Sequence, residues 1–101
     1  MELPVTLSML DRPLTITEFK NEKYALLPHE LTDLQLEILV KSRIIRDPNF
    51  TYTSGQGQVF TAQMAVSAIE SLSSIGRDLV RLEENKIMSE WKKSQTSVTV
   101  N

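Results

Sequence analysis

The chain has 101 residues, 41% of them hydrophobic and 24% charged, a balance that excludes collagen-like and low-complexity disordered sequences. Eleven basic against thirteen acidic residues leave a net charge of −2, which argues against a dedicated polyanion binder. The absence of cysteine excludes disulfides, thiolate nucleophiles and cysteine-ligated zinc.

The apolar runs are far shorter than the roughly 20 residues that span a bilayer, and Met1–Pro13 lacks the basic-then-apolar order of a secretory leader. The expectation is one small cytoplasmic domain over 1–94 with a disordered polar tail over 95–101. Val5, Leu7 and Met9 alternate with polar or small neighbours, Asp11-Arg12-Pro13 reads as a turn, and Leu14 and Ile16 alternate again. An N-terminal hairpin follows; its rival is a short helix from Thr17 to Lys20.

Pro28-His29-Glu30 opens a central helix predicted to run to Arg46, where Asp47-Pro48 stops it. Its acids Glu30, Asp33 and Glu37 come early and its bases Lys41, Arg43 and Arg46 late, matching the helix macrodipole. From Pro48 to Gly76 the only charge is Glu70. Within that stretch, β-formers on both sides of Ser54-Gly55-Gln56-Gly57 predict a second hairpin. Thr61 then caps a C-terminal helix reaching about Lys93, with Gly76 as its weak point. The fold class is α+β with helix dominant, and all-α is the alternative.

Helical phase assigns the faces. Leu31, Leu34, Ile38 and Ile45 form the expected core stripe of the central helix, and Leu36, Val40 and Ile44 a second stripe for a sandwiching element or a partner. On the long helix, Ala65, Ala68, Ile69, Leu72, Ile75, Leu79 and Leu82 make one stripe, whose continuation meets Glu83, Lys86 and Glu90. Ile87, Met88 and Trp91 lie about a quarter turn away and need another cover. That cover is expected from a partner; the rival is a bend at Gly76 that folds the helix back.

Chemistry is sparse. His29, Asp33 and Glu37 are spaced i, i+4, i+8, but no HExxH or ExxH pair completes a metal site. Gly55 and Gly57 lack the rest of either phosphate-loop motif and suit a turn. No serine has a nucleophile-elbow context, Glu83-Glu84 lie among bases as on a solvated face, and Asn49-Phe50-Thr51 is a chance glycosylation match. No cofactor or metal is expected. The leading function is a non-catalytic interaction module, whether adaptor, accessory subunit of a larger enzyme or self-associating scaffold. It acts on a protein partner or a second copy through Ile87, Met88, Trp91, Leu36, Val40 and Ile44. The alternative is a DNA-associated regulator using Lys41, Arg43 and Arg46; third comes an enzyme subunit whose site another chain completes.

Overall fold

Three threonines set where three of the helices begin, and the first follows directly on a hairpin. The structure, a computed structural model, describes residues 2–99, with side chains as far as Gln95. From 96 onward the side chains of the expected tail lie outside the described residues. Strand β1 (Thr6–Leu7) pairs antiparallel with β2 (Pro13–Leu14), Thr6 opposite Leu14. In the connecting turn the Ser8 hydroxyl accepts from the N–H groups of Leu10 and Arg12, both at 3.2 Å. Helix α1 (Ile16–Asn21) begins one residue later, because Thr15 and Glu18 form a reciprocal capping box. The hairpin and the short helix, rivals on paper, are both present.

The second edge of β1 is covered by an extended segment. The Met9 N–H donates to Tyr24 O (2.8 Å), the Leu26 N–H to Leu7 O (2.9 Å) and the Thr6 hydroxyl to Leu26 O (2.6 Å). Pro4 through Ser8 are consequently all buried. Glu22 holds the return of this segment: the Tyr24 N–H and the Arg12 guanidinium keep its carboxyl below the ordinary range. Glu2 is lowered likewise, by the hydroxyl and N–H of Thr17.

The central helix starts later than its prolines suggest. Pro28–Glu30 make a single 3-10 turn, Leu31 is extended, and α2 (Asp33–Arg46) begins at Thr32. Thr32 and Gln35 make a second capping box, which satisfies two otherwise orphaned N–H groups. The two apolar stripes share the core rather than dividing it. Leu39, Val40, Arg43 and Ile44 are buried, Leu31, Leu36 and Ile38 pack partly buried against the core, and Leu34 and Ile45 are 69% and 67% exposed. An arginine in the middle of the buried stripe disguised it.

Strands β3 (Tyr52–Thr53) and β4 (Val59–Phe60) form the expected second hairpin, with Gly57 at φ +85° in its turn. Thr61 caps α3 (Ala62–Glu70), accepting from the Met64 N–H. The long helix is then interrupted, at Ser71–Ser73 rather than at Gly76, and resumes as α4 (Ser74–Thr99). Two hydrogen bonds close α3: Leu72 N–H to Ile69 O (3.1 Å) and Ser73 N–H to Ala68 O (3.3 Å). This is a Schellman ending, whose left-handed position normally takes glycine. Here Leu72 occupies it, at φ 56°. Gly76 serves the turn differently. A Cβ on it would lie 2.2 Å from the Ala68 carbonyl oxygen, so only glycine lets α4 start so close to α3.

The break resets the helical phase, so α4 buries Gly76, Leu79, Glu83 and Ile87, while Leu82 is exposed. The core unites Val5 and Leu7 of β1 with Leu39, Val40 and Ile44 of α2, Ala65 and Ile69 of α3, and Leu79 and Ile87 of α4. Inside this shell Arg43 is 1% exposed. Its Nε donates to Glu83 Oε1 (3.1 Å), Nη2 to Glu90 Oε2 (2.8 Å) and Nη1 to the Pro4 carbonyl (2.7 Å). Lys86 donates to the other Glu83 oxygen at 3.1 Å. Burial opposes the charge on Arg43, but the bonds to Glu90 and Glu83 outweigh it and raise the guanidinium pKa above its ordinary value.

Three stability changes follow. Arg43→Leu leaves Glu83 buried without its main partner and should lower unfolding free energy by about 3 kcal/mol in denaturant titration, with Arg43→Leu plus Glu83→Leu recovering most of it. Gly76→Ala drives a methyl into backbone and should cost about 2 kcal/mol despite alanine's better helix propensity. Leu72→Gly relieves a left-handed leucine and should raise the midpoint, by roughly 0.5–1 kcal/mol.

Candidate functional site

Of the six residues expected to form a partner surface, three lie inside the chain's own core. Val40, Ile44 and Ile87 are each no more than 1% exposed. Leu36 and Met88 are partly buried. Trp91 is half-buried, with its ring edge-to-face on Phe19 of α1 at a centroid distance of 4.9 Å. Of the trio at the end of α4, Ile87 is thus core and Trp91 packs on α1 and the core, while Met88 is partly buried. The physical reason is the phase reset at Ser71–Ser73, together with the match of Glu83 and Glu90 to Arg43.

The basic patch suffers the same correction. Arg43 is buried and ion-paired, Lys41 donates to Glu70 at 3.4 Å, and Arg46 alone of the three is exposed and makes no ion pair among the described residues. His29 stands in the 3-10 turn, off the axis of α2, so it does not continue the line of Asp33 and Glu37. Gly55 and Gly57 belong to the β3–β4 turn, where Ser54 N–H bonds Gln58 O at 2.8 Å.

What the structure brings together instead is the charge-poor stretch. Thr51, Thr53, Gln56, Gln58, Val59, Thr61, Gln63, Met64, Ser67, Ser71 and Ser74 are all exposed, along the β3–β4 hairpin and the outer side of α3. A groove on this side has Phe60, Met64, Ala68 and Ile75 as its apolar members and Gln63, Ser67, Ser71 and Ser73 as its polar ones. Val59 is 58% exposed. The single charge of the stretch, Glu70, is engaged by Lys41. The chemistry offered is apolar contact and neutral hydrogen bonding.

On the other side of α3 lies a second cleft, of about 520 Å³. Leu36, Ile69, Leu72, Gly76 and Val80 are its apolar members. Here the charges are segregated: α2 contributes Asp33 and Glu37, and α4 contributes Arg77 and Arg81, followed by Glu84. No ion pair joins the two walls among the described residues, although Arg77 reaches the Leu72 carbonyl at 3.3 Å.

The signal for the neutral surface was visible in the sequence as the single charge between Pro48 and Gly76, but burial was an equally good explanation until exposure was known. The cleft had no such signal, because its walls come from helices that sequence alone does not juxtapose. Comparison of the chain with family models, with curated proteins and with solved structures finds no match, so any functional reading rests on these two surfaces.

Proposed function

We propose that the protein is a small, non-catalytic, cytoplasmic interaction module that binds another protein through the uncharged face built by β3, β4 and α3. The role is that of an adaptor, an accessory subunit or a scaffold. One observation carries the reading: the exposed residues from Thr51 to Ser74 include only one charge, and that one is paired. At the chain's average of 24%, a stretch from Pro48 to Gly76 would hold about seven. A surface that meets only water has no reason to exclude lysine and glutamate, which are the side chains most at home there. The centre of a protein interface has such a reason, since each charge placed there must be stripped of water. Exposed Val59 and Met64 supply the apolar contact that such a centre uses.

The non-catalytic part of the reading is supported by His29. The only imidazole is exposed on its turn, and it makes no side-chain hydrogen bond among the described residues.

Met64→Glu tests the proposal, because it puts an unpaired charge on the face while altering a side chain that is already 40% exposed. Thermal stability should stay within about 0.5 kcal/mol of the parent. In co-purification from the native host, a polypeptide held stoichiometrically by the parent should be lost from the variant. Identical sets of bound proteins for both chains would refute the assignment of this face.

A further inference from the structure

The cleft between α2 and α4 breaks two local rules at once. Asp33 and Glu37 are like charges spaced i, i+4 on α2, and Arg77 and Arg81 repeat the fault on α4. Arg77 also closes the first turn of α4, which holds no acid and where the macrodipole disfavours cations. Neither pair is neutralised by the other within the chain. Between them lies an apolar floor that includes Leu72, 61% exposed and held in a backbone conformation better suited to glycine.

We propose that this cleft is closed by the same cleft of a second copy of the chain, in a two-fold dimer whose axis runs along it. The argument is geometric. Rotation about an axis parallel to the cleft, lying between the facing surfaces, exchanges left and right walls. The α2 wall of one copy then opposes the α4 wall of the other, so Asp33 and Glu37 meet Arg77 and Arg81 on both sides. Rotation about the perpendicular in-plane axis would set acid against acid and is disfavoured. A foreign partner would need an apolar ridge with bases along one flank and acids along the other. A second copy already carries that charge order, with its own exposed Leu72 to reach the floor. Complementary charge gives such a pair its register, while the apolar floor supplies contact. The surface is distinct from the neutral face of β3, β4 and α3, so the dimer would present two copies of that face.

Sedimentation equilibrium of the full chain tests this with two charge reversals. At about 100 µM the parent should approach twice its 11.5 kDa, with affinity weakening roughly tenfold from low to high salt. Asp33→Lys with Glu37→Lys, and separately Arg77→Glu with Arg81→Glu, should each sediment as monomers. An equimolar mixture of the two should return to dimer mass, because at positions 33, 37, 77 and 81 each wall of one variant then faces a wall of opposite sign on the other. A monomeric parent at that concentration overturns the proposal, and so does a parent dimer that neither reversal weakens. Circular dichroism checks that both variants fold; if either does not, the salt response decides, and a dimer indifferent to salt refutes the charge pairing. None of these outcomes bears on the neutral face, which stands or falls with Met64→Glu.

Discussion

A guanidinium taken almost wholly out of water dictates what may surround it, and Arg43 draws its partners from both ends of the chain. The Pro4 carbonyl comes from the segment entering β1, and Glu83 and Glu90 come from the second half of α4. Two cations, Arg43 and Lys86, meet two carboxylates, so the cluster is neutral as a whole. Desolvating these ions is expensive, and a purely apolar substitute could be as stable. What the cluster adds is register. A one-residue slide of α4 against α2 would aim Glu83 away and strand the arginine, whereas a slide between leucines would cost little. The placement of α4, and with it both walls of the α2–α4 cleft, depends on this match.

That same cluster explains why the helix faces were misread. An apolar periodicity treats arginine and glutamate as solvent-facing, so the true buried stripe of α2, centred on Val40 and Arg43, looked interrupted. The stripe of Leu31, Leu34, Ile38 and Ile45 looked cleaner, yet Leu34 and Ile45 are exposed and only Leu31 and Ile38 lie against the core. On α4 the error compounded, because a continuous 100° step was carried through Ser71–Ser73, where the chain is not helical. The residues after the break shifted phase together, which turned Ile87 from a supposed surface anchor into core.

Element types were legible where local chemistry is strong. Alternation located both hairpins, with Asp11-Arg12-Pro13 marking the first turn and Gly55 and Gly57 the second, and Thr61 located the start of α3. Capping boxes at Thr15 and Thr32 were equally readable, and they correct the starts of α1 and α2. What no single-chain reading recovers is a break at which leucine takes the place of glycine. Gly76 attracted suspicion as a helix breaker, yet its role is tertiary: its missing Cβ makes room for the Ala68 carbonyl. Of the candidate surfaces, the neutral one was half visible as a gap in the charge pattern. The cleft was invisible until α2 and α4 were placed together.

The two surfaces differ in the physics of recognition, and their adjacency gives that difference a use. Charge segregated into walls orients an approaching partner and penalises every wrong alignment, but it loses strength with salt. A neutral face neither steers nor repels, so it depends on close fit and on apolar area. α3 separates the two, and the turn that ends it places Leu72 on the charged side while Met64 lies on the neutral one. A glycine at 72 would satisfy the turn with less backbone strain but would remove apolar contact from the cleft floor. Leucine in a left-handed conformation is a local loss, and with 61% of it exposed its packing inside the chain offsets little of that strain; contact across the proposed dimer would offset more.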